Sequence, residues 1–309
     1  MLNSRNLFGN WGSVLLPVNP DQTIDFTRLR EEIDYLVTAG LDGIYSNGTA
    51  AEMHNQVEEE FDEIQFLLAE KCRKTNVPFQ IGASHPVPVV TLDRIKRLRR
   101  LNPGAFQVIF PDWIPLNAEE QVSYLQRLAA VAGGIPLVLY NPPHSKKVLS
   151  PAELQWLAQK VPELIGIKVG SGDNSWFEEM RTISTQIAVF IPGHFLATGV
   201  QQKVAAGAYS NVACLSPKGA QKWWQLMQED LTEALLIEAR ILGFFREVIA
   251  PFQKEAYSNP ALDKFLVAIG NWCPLGTRLR WPYRWIGESE IEPARKKAKE
   301  MLPAFLLET

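Results

Sequence analysis

Leu164-Ile165-Gly166-Ile167-Lys168-Val169-Gly170 is an apolar run with one lysine near its end. Its length, its β-branched residues and its glycine boundary read as a buried strand. A lysine at the end of such a strand is costly. Burial penalises the ammonium, lowers its pKa and favours the free amine. A free amine attacks a ketone and forms a Schiff base, which acts as an electron sink. The ordinary alternative is a lysine that snorkels to solvent or pairs with a carboxylate.

Seven further runs of this kind lie at 12–18, 43–46, 78–83, 106–110, 136–140, 187–191 and 211–215. Stretches with helical spacing separate them. Segment 26–39 places Leu29, Ile33, Leu36 and Val37 on one face, and 58–72 does so with Phe61, Ile64, Leu67 and Leu68. Ser150 before Pro151 reads as an N-cap followed by proline at the first helical position. Asn117 opens a helix with Glu119 and Glu120 in its first turn. Eight strand–helix units over roughly 10–230 predict an α/β protein, a (β/α)8 TIM barrel. A doubly wound open sheet is disfavoured, because Pro17-Val18-Asn19-Pro20 follows the first strand where that fold needs a glycine-rich phosphate turn.

Beyond about residue 225 the strand rhythm gives way to helical segments at 231–248, 259–269 and 292–307, a C-terminal helical extension. The reading divides the chain into a catalytic barrel, 1–228, and a helical domain, 229–309. Trp272, Trp281, Tyr283 and Trp285 in the tail read as ordinary packing onto the barrel.

Composition narrows the function classes. Of 309 residues, 46% are hydrophobic and 21% charged, which fits a globular enzyme rather than a disordered chain. A net charge of −3 makes no electrostatic case for nucleic acid or an anionic membrane. Cys72, Cys214 and Cys273 are odd in number and widely spaced, so neither a disulfide framework nor a metal-ligand cluster is expected. A reducing cytoplasm is the expected location. Met1 to Phe8 lacks the apolar core of a signal peptide, and no run reaches the ~18 residues of a membrane span.

In barrel enzymes the chemistry sits at the C-terminal ends of strands. Here those ends carry Ser46-Asn47-Gly48-Thr49-Ala50-Ala51-Glu52, Tyr140-Asn141-Pro142-Pro143, Lys168-Val169-Gly170-Ser171-Gly172-Asp173 and Pro192-Gly193-His194. A lysine nucleophile needs a proton carrier, which Tyr140 suits. It needs donors for the carboxylate of a 2-oxo acid, which the Gly48-Thr49-Ala50 turn suits. It also needs space for a planar imine, which Gly170 and Gly193 leave. Each piece alone is common; a tyrosine ending an apolar strand is more often core.

Together, Gly48-Thr49-Ala50-Ala51-Glu52, Tyr140-Asn141-Pro142-Pro143 and Gly166-Ile167-Lys168, in that order, resemble the dihydrodipicolinate synthase and N-acetylneuraminate lyase superfamily of class I, pyruvate-type Schiff-base enzymes. The resemblance runs from Gly12 into the helical tail. It implies a barrel with a C-terminal helical domain, assembled as a homotetramer of two tight dimers or as a homodimer. It implies an imine on Lys168, a proton relay at Tyr140, and a carboxylate held by Thr49 and the Ala50 amide. Val212 would line the pyruvate end of the pocket. No metal and no cofactor beyond the covalent imine is expected.

The departures are informative. The family's strand-two motif is Gly-Thr/Ser-Thr-Gly-Glu, so Ala50 and Ala51 leave out a hydroxyl. Lysine-pathway synthases carry a tyrosine pair where this chain has Asp112-Trp113, and Trp113 cannot relay a proton. They carry an arginine where Ser145 stands; neighbouring Lys146 is a point charge rather than a fork. Sialic-acid lyases place acidic residues after the strand-seven glycine, where this chain has His194, Phe195 and Leu196. Apolar groups there would leave sugar hydroxyls unsatisfied. The expectation is a lyase, aldolase or hydro-lyase, acting on a less hydroxylated or partly aromatic 2-oxo acid.

The rivals are a hydro-lyase or deaminase on a sugar- or hydroxyproline-derived oxo acid, a dihydrodipicolinate synthase-like condensation, and a non-catalytic oxo-acid-binding barrel. His194 reads either as an ordinary loop histidine or as a contact to the distal part of the substrate. His144 is similar, with a place nearer the pocket mouth. Asp173 reads as a helix N-cap, and Glu52 as a structural carboxylate that orders the strand-two loop with His54 beside it.

Overall fold

The apolar runs pair in chain order. In the computed structural model, which describes residues 2–306, the strands are β1 (Gly9–Ser13), β2 (Gly43–Ser46), β3 (Phe79–Gly82), β4 (Ala105–Val108), β5 (Leu137–Tyr140), β6 (Leu164–Lys168), β7 (Ala188–Phe190) and β8 (Gly207–Tyr209). All neighbours are parallel, and β8 pairs with β1, so the sheet closes into a barrel. Closure brings backbones very close. A Cβ on Gly207 would lie 2.1 Å from the Gly9 carbonyl oxygen, so only glycine fits there.

Helices cover the outside: α1 (Phe26–Leu36), α2 (Glu58–Thr75), α3 (Pro88–Leu98), α4 (Ala118–Ala132), α5 (Pro151–Lys160), α6 (Asn174–Ser184) and α7 (Leu196–Gln201). Their starts follow the capping chemistry expected. Asn117 accepts from the Glu120 amide and Ser150 from that of Glu153, each with the glutamate returning the bond. Asp173 caps α6 by accepting from Trp176 N at 3.0 Å. Strand alternation separates two cores. Ile44, Ile81, Phe106, Leu139, Ile167 and Val189 pack outward under the helices. Trp11, Tyr45, Val138, Phe190 and Tyr209 face inward and fill the barrel with Leu7.

One irregularity aims the lysine. In β6 the register skips Ile165, so Leu137 faces Leu164 while Val138 faces Gly166. A one-residue bulge moves everything beyond it to the other face. Gly166 and Lys168 thereby share the interior face, and Lys168 pairs directly with Tyr140.

The eighth strand lies earlier than expected. Segment 211–215 is helix α8 (Asn211–Leu215), not a strand; Ser210 caps it by accepting from Ala213 N at 3.1 Å. The true β8, Gly-Ala-Tyr, is short and poor in β-branched residues, so propensity favoured the wrong neighbour. There follow α9 (Pro217–Glu229), α10 (Leu231–Phe244), a π-helical turn at Phe245–Ile249, α11 (Ala250–Lys254), α12 (Asn259–Gly270), α13 (Ile291–Met301) and α14 (Pro303–Leu306). Residue 307, the end of the last expected helix, lies outside the described residues.

The tail's aromatics divide. Trp272 is buried, donating to the Cys214 carbonyl at 2.8 Å. Trp281 is 78% exposed, so the expected packing of the whole cluster onto the barrel does not hold. Apolar residues of the tail, among them Phe244, Phe265, Leu266 and Ile269, join the barrel's outer core, and a buried polar tie adds to them. The buried Lys264 ammonium donates to Glu52 at 2.7 Å, and the Arg280 amide donates to the same carboxylate at 3.0 Å. Glu52 thus orders the strand-two loop, while His54 packs edge-on against Tyr283. No helix of the described residues is long and apolar enough to cross a membrane.

Candidate active site

A cavity of about 210 Å3 opens at the C-terminal ends of the strands, between the barrel mouth, the π-helical turn and α12. A wider basic depression of about 610 Å3 at Lys96, Arg97, Arg99 and Arg100 lies where α3 and α4 end, at the opposite face of the barrel. That face carries stability rather than chemistry in barrel enzymes.

Lys168 enters the first cavity from the end of β6. Its Nζ lies 4.3, 5.1 and 5.5 Å from the ring centroids of Tyr140, Tyr45 and Tyr209, and donates to the Tyr45 hydroxyl at 3.3 Å. The side chain is partly uncovered, since its tip faces the cavity, but the ring walls leave little room for hydrating water. Burial therefore pulls the ammonium down to about 8, opposed by the charge of Asp263. At pH 7 about a tenth is then free amine, against less than a thousandth for an ordinary lysine, and the free amine is the form that attacks a carbonyl.

The rings themselves stay protonated. Burial pushes Tyr140 up to about 12, offset in part by hydrogen bonding with Thr49. Tyr45 and Tyr209 are raised further by burial; Tyr209 donates to Gln80 at 2.7 Å deep in the barrel. Tyr45 and Tyr140 are thus protonated phenols beside the amine, whereas the Tyr209 hydroxyl is committed to Gln80.

The other expected site residues fall into two groups. Thr49, Ala50, Gly170 and His194 line the cavity. The His194 ring stacks on Phe245 at 5.0 Å, and its Nδ1 sits 2.8 Å from the Asn211 amide nitrogen. Burial lowers the His194 pKa, which keeps the ring neutral at pH 7. It is neither an exposed loop histidine nor a charge.

Gly48, Gly193 and Val212 do not line the cavity. A Cβ on Gly48 would lie 2.6 Å from the Tyr45 ring, and one on Gly193 would lie 2.5 Å from Ser210 Oγ. These glycines give way to the residues that do line it. Val212 is fully buried in the outer core, because α8 turns it away; Asn211 and Cys214 of the same turn face the cavity instead. His144 is exposed and does not line the cavity. Lys146 does not line the cavity: its Nζ donates to the Trp113 carbonyl at 2.9 Å and lies 4.8 Å from that ring. Trp113 is itself 82% exposed.

Sequence reasoning missed Tyr45, Tyr209, Cys214, Phe245 and Asp263. Asp263 comes from α12, far along the chain, and is the one carboxyl among the lining residues. A signal existed: Asp263-Lys264 interrupts an otherwise apolar helix. Lys264 is explained by Glu52; Asp263 faces the cavity. Among the described residues no group of three His, Cys, Asp or Glu side chains is placed to hold a metal ion. The arrangement combines one nucleophilic amine, phenolic proton donors, a carboxyl and the hydroxyl and amides of the Thr49 turn.

Comparison with known proteins agrees with the geometry. Residues 6–288 match the dihydrodipicolinate synthetase family. A 4-hydroxy-tetrahydrodipicolinate synthase from Acidovorax sp. is 24% identical over 96% of this chain and 98% of its own length. An N-acetylneuraminate lyase from Escherichia coli is 26% identical over 58% of this chain and 60% of its own. Among solved structures, a prophage protein of the dihydrodipicolinic acid synthase family from E. coli K12, in complex with pyruvate, superposes with a TM-score of 0.82 at 19% identity, covering 96% of this chain and 98% of that one.

Proposed function

We propose that this chain, which belongs to the dihydrodipicolinate synthetase family, is a Schiff-base lyase, aldolase or hydro-lyase, for a 2-oxo acid such as pyruvate and its aldol adducts. Lys168 attacks the ketone and forms the imine. Tyr140 donates and recovers protons as the carbinolamine loses water. Thr49, with the amide of Ala50, holds the carboxylate. The imine then accepts the electron pair released by carbon–carbon cleavage or by loss of a proton before dehydration.

The observation that carries this reading is the register pairing of Lys168 with Tyr140 inside the ring-walled cavity, with the amine's pKa drawn toward neutrality by burial. Lysine biosynthesis is disfavoured, since no arginine stands in the cavity and Lys146 is engaged with Trp113. Sialic acid is disfavoured as well, since the His194–Phe245 stack and Ile249, Leu262 and Leu266 line the distal space. A less hydroxylated or partly aromatic distal half suits those walls. Exposed Trp113 and Ile114, at 82% and 74%, support assembly with further copies of the chain.

Intact mass spectrometry after incubation with pyruvate and sodium borohydride tests the reading. An adduct mapping to Lys168, absent from Lys168→Ala, is the expected result. Turnover of an oxo acid by Lys168→Ala would rule out the mechanism.

A further inference from the structure

The site lacks two hydroxyls that its relatives' motif would supply, at Ala50 and at Trp113, and one carboxyl takes a place in the cavity. Asp263 projects from α12, which packs over α8 and the Thr49–Ala51 turn. It lines the same cavity as Lys168, Tyr45, Tyr140 and Cys214. Its charge acts on all four of them. Yet among the described residues it has no hydrogen bond and no ion pair: the carboxyl stands off the amine, beyond ion-pair distance. A structural carboxylate is normally paired, as the fully buried Glu52 is with Lys264, whereas Asp263 is half-buried and open to the cavity. The space between Asp263 and Lys168 is where a lysine-bound oxo acid must sit.

We propose that Asp263 moves the proton at the carbon next to the imine, C3 of the 2-oxo acid; this rests on the imine at Lys168. In that step the C3–H bond breaks and its proton passes to the Asp263 carboxylate. The C–H electron pair becomes the C2–C3 double bond of the enamine, and the imine π pair moves to nitrogen. In the reverse direction the carboxylic acid returns the proton to C3. The same transfer serves dehydration, which begins by removing this proton, and aldol cleavage, which ends by restoring it.

Tyr140 is poorly suited to this task. Its phenol is bonded toward Thr49 and held protonated, so it offers no free base near pH 7 to take a proton from carbon. Burial raises Asp263 to about 7 against the opposing charge of Lys168. The other groups facing it, Tyr45, Tyr209, His194 and Cys214, are neutral at that pH: the phenols and thiol are raised and the imidazole lowered.

The test needs only pyruvate. Wild type and Asp263→Asn are compared for borohydride trapping at Lys168 and, in D2O at saturating pyruvate, for exchange of the C3 hydrogens followed by proton NMR. Asparagine keeps the shape and cannot accept the proton. The expected result is that Asp263→Asn still forms the adduct but exchanges C3 hydrogens at least about 100-fold more slowly. Wild-type exchange should also rise with pH through about 7, a limb absent from the variant. Exchange at the wild-type rate in Asp263→Asn overturns the proposal. Loss of the adduct as well assigns Asp263 to the amine rather than to C3 and overturns it too. If wild type gives no adduct, the imine reading fails and this inference falls with it. Should Asp263→Asn not fold, Asp263→Ser is read in its place by the same outcomes, and exchange at the wild-type rate overturns the proposal.

Discussion

Lys168 carries an energetic cost that substitution should release. Its ammonium is drawn from the ordinary 10.5 down to about 8, chiefly by burial. Each unit corresponds to about 1.4 kcal/mol, so at pH 7 the folded protein holds the charged group at a cost of up to about 3 kcal/mol relative to the unfolded chain. Lys168→Met nearly conserves volume and removes the charge. It also removes the donor to the Tyr45 hydroxyl, worth about 1 kcal/mol. The variant should therefore be more stable than wild type by about 2 kcal/mol at pH 7, while losing the pyruvate adduct altogether.

The pH dependence fixes the sign. The folded pKa lies below the unfolded one, so between about 8 and 10.5 the unfolded chain binds more protons and wild-type stability rises with pH. At pH 10 the residual cost falls below about 1 kcal/mol, and the advantage of Lys168→Met should vanish. Guanidinium unfolding of both proteins at pH 7 and pH 10, followed by far-UV circular dichroism, measures the difference. A variant less stable than wild type at pH 7, or a stability gap independent of pH, would refute a buried, desolvated amine.

Further outcomes follow from the same geometry. The rate of pyruvate trapping in wild type should rise with pH through about 8 as Lys168 loses its proton, and a flat profile would contradict the lowered pKa. Tyr140→Phe should leave the fold intact but slow trapping by about 10²–10⁴-fold in stopped borohydride time courses. Gly48→Ala would place a methyl 2.6 Å from the Tyr45 ring, displacing the hydroxyl beside Lys168; trapping should fall without a comparable loss in unfolding midpoint. Glu52→Gln leaves the Lys264 ammonium buried without its countercharge and should cost about 3–5 kcal/mol in denaturant unfolding. Glu52→Gln combined with Lys264→Met should recover part of that loss, and strictly additive losses would argue against a coupled pair.

Local chemistry is legible along the chain wherever neighbours in sequence are neighbours in space. The strand–helix rhythm, the caps at Asn117, Ser150 and Asp173, and a lysine stranded at the end of an apolar strand all follow from short stretches. They suffice for the barrel and for Lys168, Tyr140 and Thr49 at its mouth. Where local signals conflict, the reading slips: Val212 to Leu215 looks more like a strand than Gly-Ala-Tyr does, and only the Ser210 cap and the closure against Gly9 reverse that.

What lies beyond sequence is convergence. The bulge at Ile165 determines that Lys168 faces inward, and no propensity reveals a register shift. Tyr45 and Tyr209 reach the amine because strands far apart in sequence meet in a closed sheet. Asp263 reaches it because the buried Lys264–Glu52 pair anchors α12 over the barrel mouth. The amine's pKa depends on that enclosure. The sequence alone singled out the lysine proposed as nucleophile; tertiary structure decided how dry its surroundings are and which carboxyl shares its cavity, because desolvation and long-range contacts exist only once the chain has closed.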